Sequence, residues 1–589
     1  MMWARFGSDD QVERPLALLR RAAREGRDLR AAAIGALVAA VAATGARLLG
    51  PLLVRSGVDD GILAGDGGVV ARVSLLYIGL FLVQYAASRW SLLAVTSVGE
   101  RFLRRMRVRV YRHLVNLDIG YFGRTKAGVL VSRMTSDVEA LTAFANEGAI
   151  AVITSTLTVI GVGVGLFYSD PGLAGYVLGV FPVLVIASVV FRRFADRAYR
   201  AVREQIGLVL GSLQEGITGV RVVQAYTQER GQLGQFHRVN QKYFDANLAA
   251  ARAISTYFPV VDFLRTASSA MVLFVGGSRV LDGSMTFGSL VAFLLYLNWF
   301  FEPIVQLSNV YNLLQGALAA LSKLFGILDR RPAVSDPDHP VEPEMPMKGS
   351  LEFAGVRFGY DPDSPVLDGL DLSIPAGQRV AVVGETGAGK STVAKLAVRF
   401  YDPQAGRVMI DGIDLRDLAV AVLRRNVAMV PQEGFLFDGS IRDNIAYARA
   451  DMSDEQVWEV CARLGIDVWV RSLPERLDTQ VRERGSRLSS GERQLVSLAR
   501  ALAADPAVIV LDEATSNLDP ETEAAVERAL AVLLAGRTSI VIAHRLQTAE
   551  RADRVLVVDR GRVVEDGSFE DLVAAGSHFA VLREIWQGA

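Results

Sequence analysis

Apolar positions along the chain follow two regimes. Before residue 320, uncharged or nearly uncharged stretches long enough to cross a bilayer, about 20 residues each, recur over 31–54, 72–97, 143–168, 171–191, 258–280 and 286–310. After residue 350 these give way to short β-branched runs that alternate with helix-period patterns, the texture of an α/β domain. The third and fourth long stretches are separated only by Ser169-Asp170-Pro171-Gly172, a turn signal that predicts a tight helical hairpin. The segments between the second and third and between the fourth and fifth stretches have helical composition with few breakers. They read as extensions of the spanning helices.

Polar residues orient this bundle. Arg20, Arg21, Arg24, Arg27 and Arg30 precede the first span. Arg101, Arg104, Arg105, Arg107, Arg109, Arg112, Arg124, Lys126 and Arg133 fill the second-to-third connection, and Arg192, Arg193, Arg197, Arg200 and Arg203 follow the fourth span. The loops on the opposite side are short and hold mainly Arg55, Arg72, Arg279 and aspartates. The bias of Lys and Arg toward the inner side places both termini and both long connections in the cytoplasm. From Pro15 to Arg30, Leu and Ala alternate with Arg at helical spacing, which suits a helix on the inner membrane surface.

Several ionisable residues fall inside the spans, among them Arg47, Arg89, Asp262, Arg265 and Glu302. A charge at mid-bilayer costs about 2.5–3.5 kcal/mol on insertion scales, so each needs a wet cavity or a partner. Asp262 and Arg265 are three apart, on one helix face, and can pair. Two readings stand for Arg47, Asp262, Arg265 and Glu302: they line a substrate pathway, or they form structural intramembrane pairs. Arg89 can also snorkel to an interface.

Prolines at 332, 337, 340, 343 and 346 interrupt any regular element, so residues 330–349 read as a linker between a membrane domain, 1–329, and a second domain, 350–589. Composition agrees: 589 residues exceed one core, and 51% are hydrophobic. A formal net charge of −1 gives no electrostatic reason to expect nucleic acid. Cys461 is the single cysteine, which excludes an intramolecular disulfide and suits a small buried hydrophobe. The histidines show no metal-binding spacing. Acidic residues and the lack of a short apolar run at the start argue against a secretory signal. Abundant Ala and Arg with few Lys suggest a GC-rich bacterial genome, hence the bacterial cytoplasmic (inner) membrane.

The second domain carries the chemistry. Gly384-Glu385-Thr386-Gly387-Ala388-Gly389-Lys390-Ser391 follows the apolar run Arg379–Val383 and precedes a helical pattern, with Thr392 next in line as a further ATP-binding candidate. That strand–loop–helix context is what a phosphate-binding loop needs. Its glycines let backbone N–H groups converge on phosphate oxygens, Lys390 reaches the β- and γ-phosphates, and the Ser391 hydroxyl can ligate Mg²⁺. A second run, Val508–Leu511, ends in Asp512 and Glu513, a buried strand delivering two carboxylates to the ligand edge of a sheet. Asp512 suits magnesium, directly or through water, and Glu513 suits the attacking water.

With these residues in place the chain resembles the ATP-binding-cassette transporters. The resemblance assigns Tyr360 as the adenine-stacking aromatic and Gln432 as the glutamine that contacts metal and water. It assigns Leu488-Ser489-Ser490-Gly491-Glu492 as the signature, Glu483-Arg484-Gly485 as the exporter X-loop, Ser516-Asn517-Leu518-Asp519 as the D-loop and His544 as the switch histidine at the γ-phosphate. It extends into the membrane half, where Leu117–Phe122 is similar to the first cytoplasmic coupling segment and Glu215–Glu229 to the stretch around the second. It implies a type IV exporter half-transporter: a six-helix all-α membrane domain fused to an α/β P-loop nucleotide-binding domain. ATP and Mg²⁺ serve as cofactors, and a second subunit completes a dimer whose closure around two ATP molecules turns the cavity outward. The implied function is ATP-driven export or flipping of an amphipathic small molecule, drug or lipid across the bilayer. An importer of the same fold and an ATP-gated channel or regulator remain as alternatives. The six apolar spans exclude a soluble DNA-repair ATPase.

The signature departs from the family's L-S-G-G-Q at Ser490 and Glu492. Ser490 restricts a backbone that glycine leaves free, and Glu492 puts a carboxylate near an anion-binding helix start. Ser489-x-x-Glu492 is also a capping box, and both readings can hold together. A weakened signature beside an intact Glu513 resembles one subunit of a heterodimeric exporter.

Overall fold

The computed structural model describes residues 15–361, 363–432, 434–512, 520–543 and 545–588. They form two compact units. The first comprises the chain up to His113 together with Gly128–Asp329, and the second comprises Leu114–Ala127 with the chain from Arg330 onward.

The first unit is all helix. Its long helices are Arg30–Ser56, Gly67–Val115, Ala127–Ser169, Pro171–Thr218, Glu229–Leu281 and Phe287–Leu328. Six candidate membrane spans lie among them. Several are far longer than a bilayer requires: the 49 residues of Gly67–Val115 reach about 74 Å at 1.5 Å per residue. The apolar stretches therefore continue as helix through the charged connections. The third helix carries two π turns, Arg133–Asp137 and Phe144–Gly148. The hairpin expected at Ser169–Gly172 is as short as it can be. One helix ends at Ser169, Asp170 caps the next by accepting from the Leu173 N–H at 2.9 Å, and Pro171 begins it, where a missing N–H costs nothing. Arg279 of the fifth helix donates to the same Asp170 at 2.7 Å. Asp59, at the end of the first helix, accepts from the Gly288 N–H at 2.7 Å and so caps the sixth. Ahead of the spans, the helix Pro15–Glu25 is tied down by Arg21 to Asp329, and the turn after it by Arg105 to Asp28 at 2.6 Å.

The second unit contains two sheets. β1 (Leu351–Phe358), β2 (Leu367–Ile374), β4 (Ala405–Ile410) and β5 (Ile413–Asp414) form an antiparallel sheet in the order β2-β1-β4-β5. β1 alternates buried and exposed positions, as a strand with one wet face must. β3 (Arg379–Val383), β6 (Val427–Val430), β7 (Val508–Asp512), β8 (Thr538–Ile542), β9 (Arg554–Asp559) and β10 (Arg562–Gly567) form the second, in the order β10-β9-β3-β8-β7-β6. The runs β3, β7 and β9 are mainly apolar and buried, and β8 is buried too with Thr538 and Ser539 at its start, because a parallel sheet has helices on both faces. Each buried Val or Ile there contributes ~1.5–3 kcal/mol. Cys461 packs in the helical core beside this sheet, where burial pushes its thiol up to about 12. It is a core hydrophobe and carries no thiolate chemistry. The proline-rich segment 330–349 runs along this unit: Arg399 donates to the Ser335 carbonyl at 3.1 Å, and the Val341 N–H donates to the Asp417 carbonyl at 2.8 Å.

Candidate functional site

Four neighbouring parallel strands, β3, β8, β7 and β6, point the same way, with Val380 opposite Ile540, Leu511 opposite Val541, and Val430 opposite Leu511. Their C-terminal ends therefore lie in one row. β3 ends in the phosphate loop, β7 in Asp512, and β6 runs into Gln432, while β8 ends at Ile542, just before position 544. This row is the edge at which parallel α/β sheets bind ligands. Glu513, Asp519 and His544 lie outside the described residues, as do Ser516, Asn517 and Leu518.

The loop is shaped by its glycines. Gly384 has φ +146° and a Cβ there would lie 2.1 Å from the Val558 carbonyl oxygen; Gly389 has φ +111° and a Cβ would lie 2.9 Å from Leu367. Gly389 precedes the helix Lys390–Ala397, so the first N–H groups of that helix open onto the loop. Lys390 is 6% exposed, and its ammonium donates to the carbonyls of Gly384 and Glu385 at 2.8 Å each. A compact cation is thus held in a glycine-rich loop at the start of a helix, an arrangement suited to a polyphosphate. Glu385, Thr386 and Gly387 are exposed, Ala388 is buried, and Ser391 is half-buried at the helix start.

Tyr360 stands beside this loop. Its hydroxyl is 3.2 Å from the Thr392 hydroxyl and accepts from Lys395 at 3.3 Å, while its ring meets Tyr401 edge-on at 5.4 Å. The segment Leu114–Ala127 reaches the same aromatic group. Asp118 caps the short helix Ile119–Arg124 and accepts from the Ala333 N–H at 2.9 Å; Arg124 donates to the Tyr360 carbonyl at 3.3 Å; and a Cβ on Gly120 would come within 3.0 Å of the Tyr401 ring.

At the signature, Ser489 caps the helix Ser490–Ala504. Its hydroxyl accepts from the Glu492 N–H at 3.2 Å, and its own N–H donates to Glu492 Oε2 at 2.7 Å. The capping box read from the sequence is present. The second carboxylate oxygen accepts from the Trp469 indole at 2.9 Å. Trp469 sits on the separate short helix Asp467–Ser472, and sequence reasoning did not find it because no local pattern links positions 23 apart. Glu492→Ala is expected to cost about 1 kcal/mol through the lost cap, with Glu492→Gln retaining most of it, read as shifts in the thermal unfolding of the nucleotide-binding half. Ser490 and Gly491 form the first turn, Ser490 exposed and Gly491 buried.

In the membrane half, Arg265 donates to Asp262 at 2.6 Å on one helix face, as their spacing predicted. Arg47 and Glu302 come from different helices and approach to 3.8 Å.

A bundle of six long apolar helices joined to an α/β unit with a phosphate loop at its sheet edge defines an ATP-hydrolysing membrane transporter. Comparison with known proteins gives the family. A profile described as the ABC transporter transmembrane region matches residues 33–304, and one described as ABC transporter matches 367–516. The chain is 36% identical to the uncharacterized ABC transporter ATP-binding protein YknV of Bacillus subtilis, over 92% of this chain and 89% of that one. It is 35% identical to the ATP-dependent lipid A-core flippase of Syntrophus aciditrophicus, over 90% and 88%. It is also 36% identical to a multidrug efflux ATP-binding/permease protein of Mycobacterium tuberculosis, over 96% of this chain but 47% of that one. Among solved structures, a bacterial Atm1-family ABC exporter with ATP bound superposes with a TM-score of 0.77 at 28% identity, over 95% of this chain and 99% of the other. The chain belongs to the ABC transporter family. It is a multi-pass membrane protein with the exporter fold, it binds ATP, and like other exporters of that fold it works as a dimer.

Proposed function

We propose that this chain is one subunit of an exporter that uses ATP to move or flip an amphipathic drug or lipid across a bacterial cytoplasmic membrane. The observation that carries this reading is the single sheet edge bearing the phosphate loop, Asp512 and Gln432, in a chain whose other half is a six-helix apolar bundle. Relatives named for multidrug efflux and for lipid A-core flipping support the substrate class.

In this reading Tyr360 stacks the adenine. Residues 384–389 cradle the phosphates through backbone N–H groups, Lys390 neutralises the β- and γ-phosphates, and Ser391 and Thr392 in the first turn of the following helix complete the ATP-binding set. Among the described residues no group of three His, Cys, Asp or Glu could hold a metal. Ser391, Gln432 and Asp512 are the residues that would hold Mg²⁺ when it binds with the nucleotide. The ion's contribution is to neutralise charge between the β- and γ-phosphates. Glu513 orients or deprotonates the attacking water, His544 contacts the γ-phosphate, and Asp519 belongs to the D-loop. Ser489, Ser490, Gly491 and Glu492 close over the ATP held by the partner subunit.

The partner in this proposal is a second, different half-transporter. Ser490 and Glu492 weaken this chain's signature, while Lys390 and Glu513 are retained, so the efficient site pairs this chain's phosphate loop with the partner's signature. The mycobacterial relative, of which this chain spans 47%, has length for two such units in one polypeptide. The test is ATP turnover by this chain alone, purified in lipid, beside Glu513→Gln. Turnover no faster than the variant's, from folded ATP-binding protein, supports the heterodimer. Robust turnover that Glu513→Gln abolishes shows instead a working homodimer. ATP-dependent uptake of an amphiphile into inside-out vesicles would establish export, and its release from them import.

A further inference from the structure

Three side chains of the membrane half converge in a way that the nucleotide chemistry does not use. The Arg47 guanidinium, from the first spanning helix, lies over the Trp299 ring of the sixth at 4.8 Å from its centroid. The same guanidinium faces Glu302, one turn further along, at 3.8 Å. That separation is too long for a charge-assisted hydrogen bond, which closes to about 2.7–2.9 Å. Glu302 is held from behind: the Gln306 side-chain amide donates to its other oxygen at 3.2 Å, and the Ser155 hydroxyl of the third helix donates to Gln306 Oε1 at 3.0 Å. Glu302 is thus positioned and Trp299 meets the Tyr296 ring edge-on at 6.4 Å, whereas Arg47 touches both loosely. The side chains of Arg47 and Glu302 remain 36% and 60% exposed in the chain, so both can be approached. The other intramembrane pair differs. Asp262 is closed by Arg265 on its own helix at 2.6 Å and carries its counter-charge with it.

An aromatic face beside a carboxylate, within apolar helices, is the chemistry that binds a delocalised organic cation. Arg47 is a tethered cation resting on both groups. We propose that Trp299 and Glu302 form a subsite for a lipophilic organic cation, with Arg47 as the built-in competitor that such a substrate displaces. The assignment rests on the amphiphile-export reading and narrows its substrate class to cations. The logic fixes opposite signs for two substitutions. Removing the carboxylate weakens cation binding. Removing the guanidinium strengthens it, because a carboxylate inside a membrane is costly without a counter-charge and the substrate then supplies that charge alone.

The experiment uses the full chain in lipid nanodiscs and measures equilibrium binding of three probes of similar shape: tetraphenylphosphonium, tetraphenylborate and uncharged triphenylphosphine oxide. Glu302→Gln is expected to weaken tetraphenylphosphonium binding by about fivefold or more, the equivalent of ~1 kcal/mol, with little change for the uncharged probe. Arg47→Gln is expected to tighten it by about threefold to fivefold, the range of one exposed ion pair. If both variants weaken the cation, Arg47 and Glu302 are a structural pair and the proposal is overturned. The same holds if Glu302→Gln instead changes the oligomeric state, which would make this face a subunit contact. If the borate or the phosphine oxide binds as well as the phosphonium and neither variant matters, the cation assignment fails and amphiphile export stands. If no probe binds, the cation subsite fails, and amphiphile export is decided separately by the vesicle uptake assay.

Discussion

Lys390→Ala is expected to lower ATP turnover by about 10²–10³-fold, the usual scale for removing one fixed stabiliser of developing transition-state charge. The residue is nearly inaccessible, and its ammonium is anchored by the carbonyls of Gly384 and Glu385, so its charge is fixed within the loop. Alanine removes that charge and leaves two loop carbonyls short of a donor. Arginine should not rescue it, because a planar guanidinium does not fit where a compact ammonium is enclosed. Steady-state turnover together with binding of a fluorescent ATP analogue separates the two losses. Turnover within tenfold of the parent chain would remove Lys390 from the chemistry. If this chain needs a different partner for hydrolysis, the same measurement is made on the assembled pair.

The second large effect is expected at Gly384. Gly384→Ala places a Cβ 2.1 Å from the Val558 carbonyl oxygen, at a φ of +146° that side chains rarely adopt. Val558 belongs to β9, which is paired with β3 on the strand that feeds the loop, so the clash can be relieved only by parting two central strands. Overpacking and backbone strain together should cost about 2–4 kcal/mol, and ATP binding should fall with the loop geometry. Gly387→Ala is the internal control. Its φ is +88° but nothing lies within 4 Å of the added carbon, so backbone strain alone should act. A melting-temperature drop for Gly384→Ala clearly larger than for Gly387→Ala measures the steric part. Equal drops would mean that the close approach of β9 is unimportant.

Much of this architecture is set by local sequence. The six apolar stretches report which solvent each segment meets, and a helix is the open-ended way to satisfy every backbone group there. Asp170-Pro171 could be read as a hairpin because a capping carboxylate followed by proline fixes a helix start without help from the rest of the chain. The phosphate loop was legible for the same reason: its glycines and Lys390 act through backbone geometry within eight consecutive residues. Ser489 and Glu492 could likewise be read as a capping box, since both partners lie in one turn.

What only the tertiary structure decided depends on elements far apart in the chain. The order β3-β8-β7-β6 puts Gln432 and Asp512 in the row begun by the phosphate loop, and no spacing in the sequence encodes that order. Trp469 reaches Glu492 from a separate short helix 23 positions earlier, and Leu114–Ala127 joins the second unit through contacts of Asp118, Gly120 and Arg124 that composition does not mark. Arg47 could be flagged from its cost in a membrane, but its seat on Trp299 and beside Glu302 comes from how the first and sixth helices pack. Sequence periodicity and turn chemistry act over a few residues and so determine elements and their solvent. Which distant side chains meet is settled by how those elements pack, and that is where the fine chemistry of this protein lies.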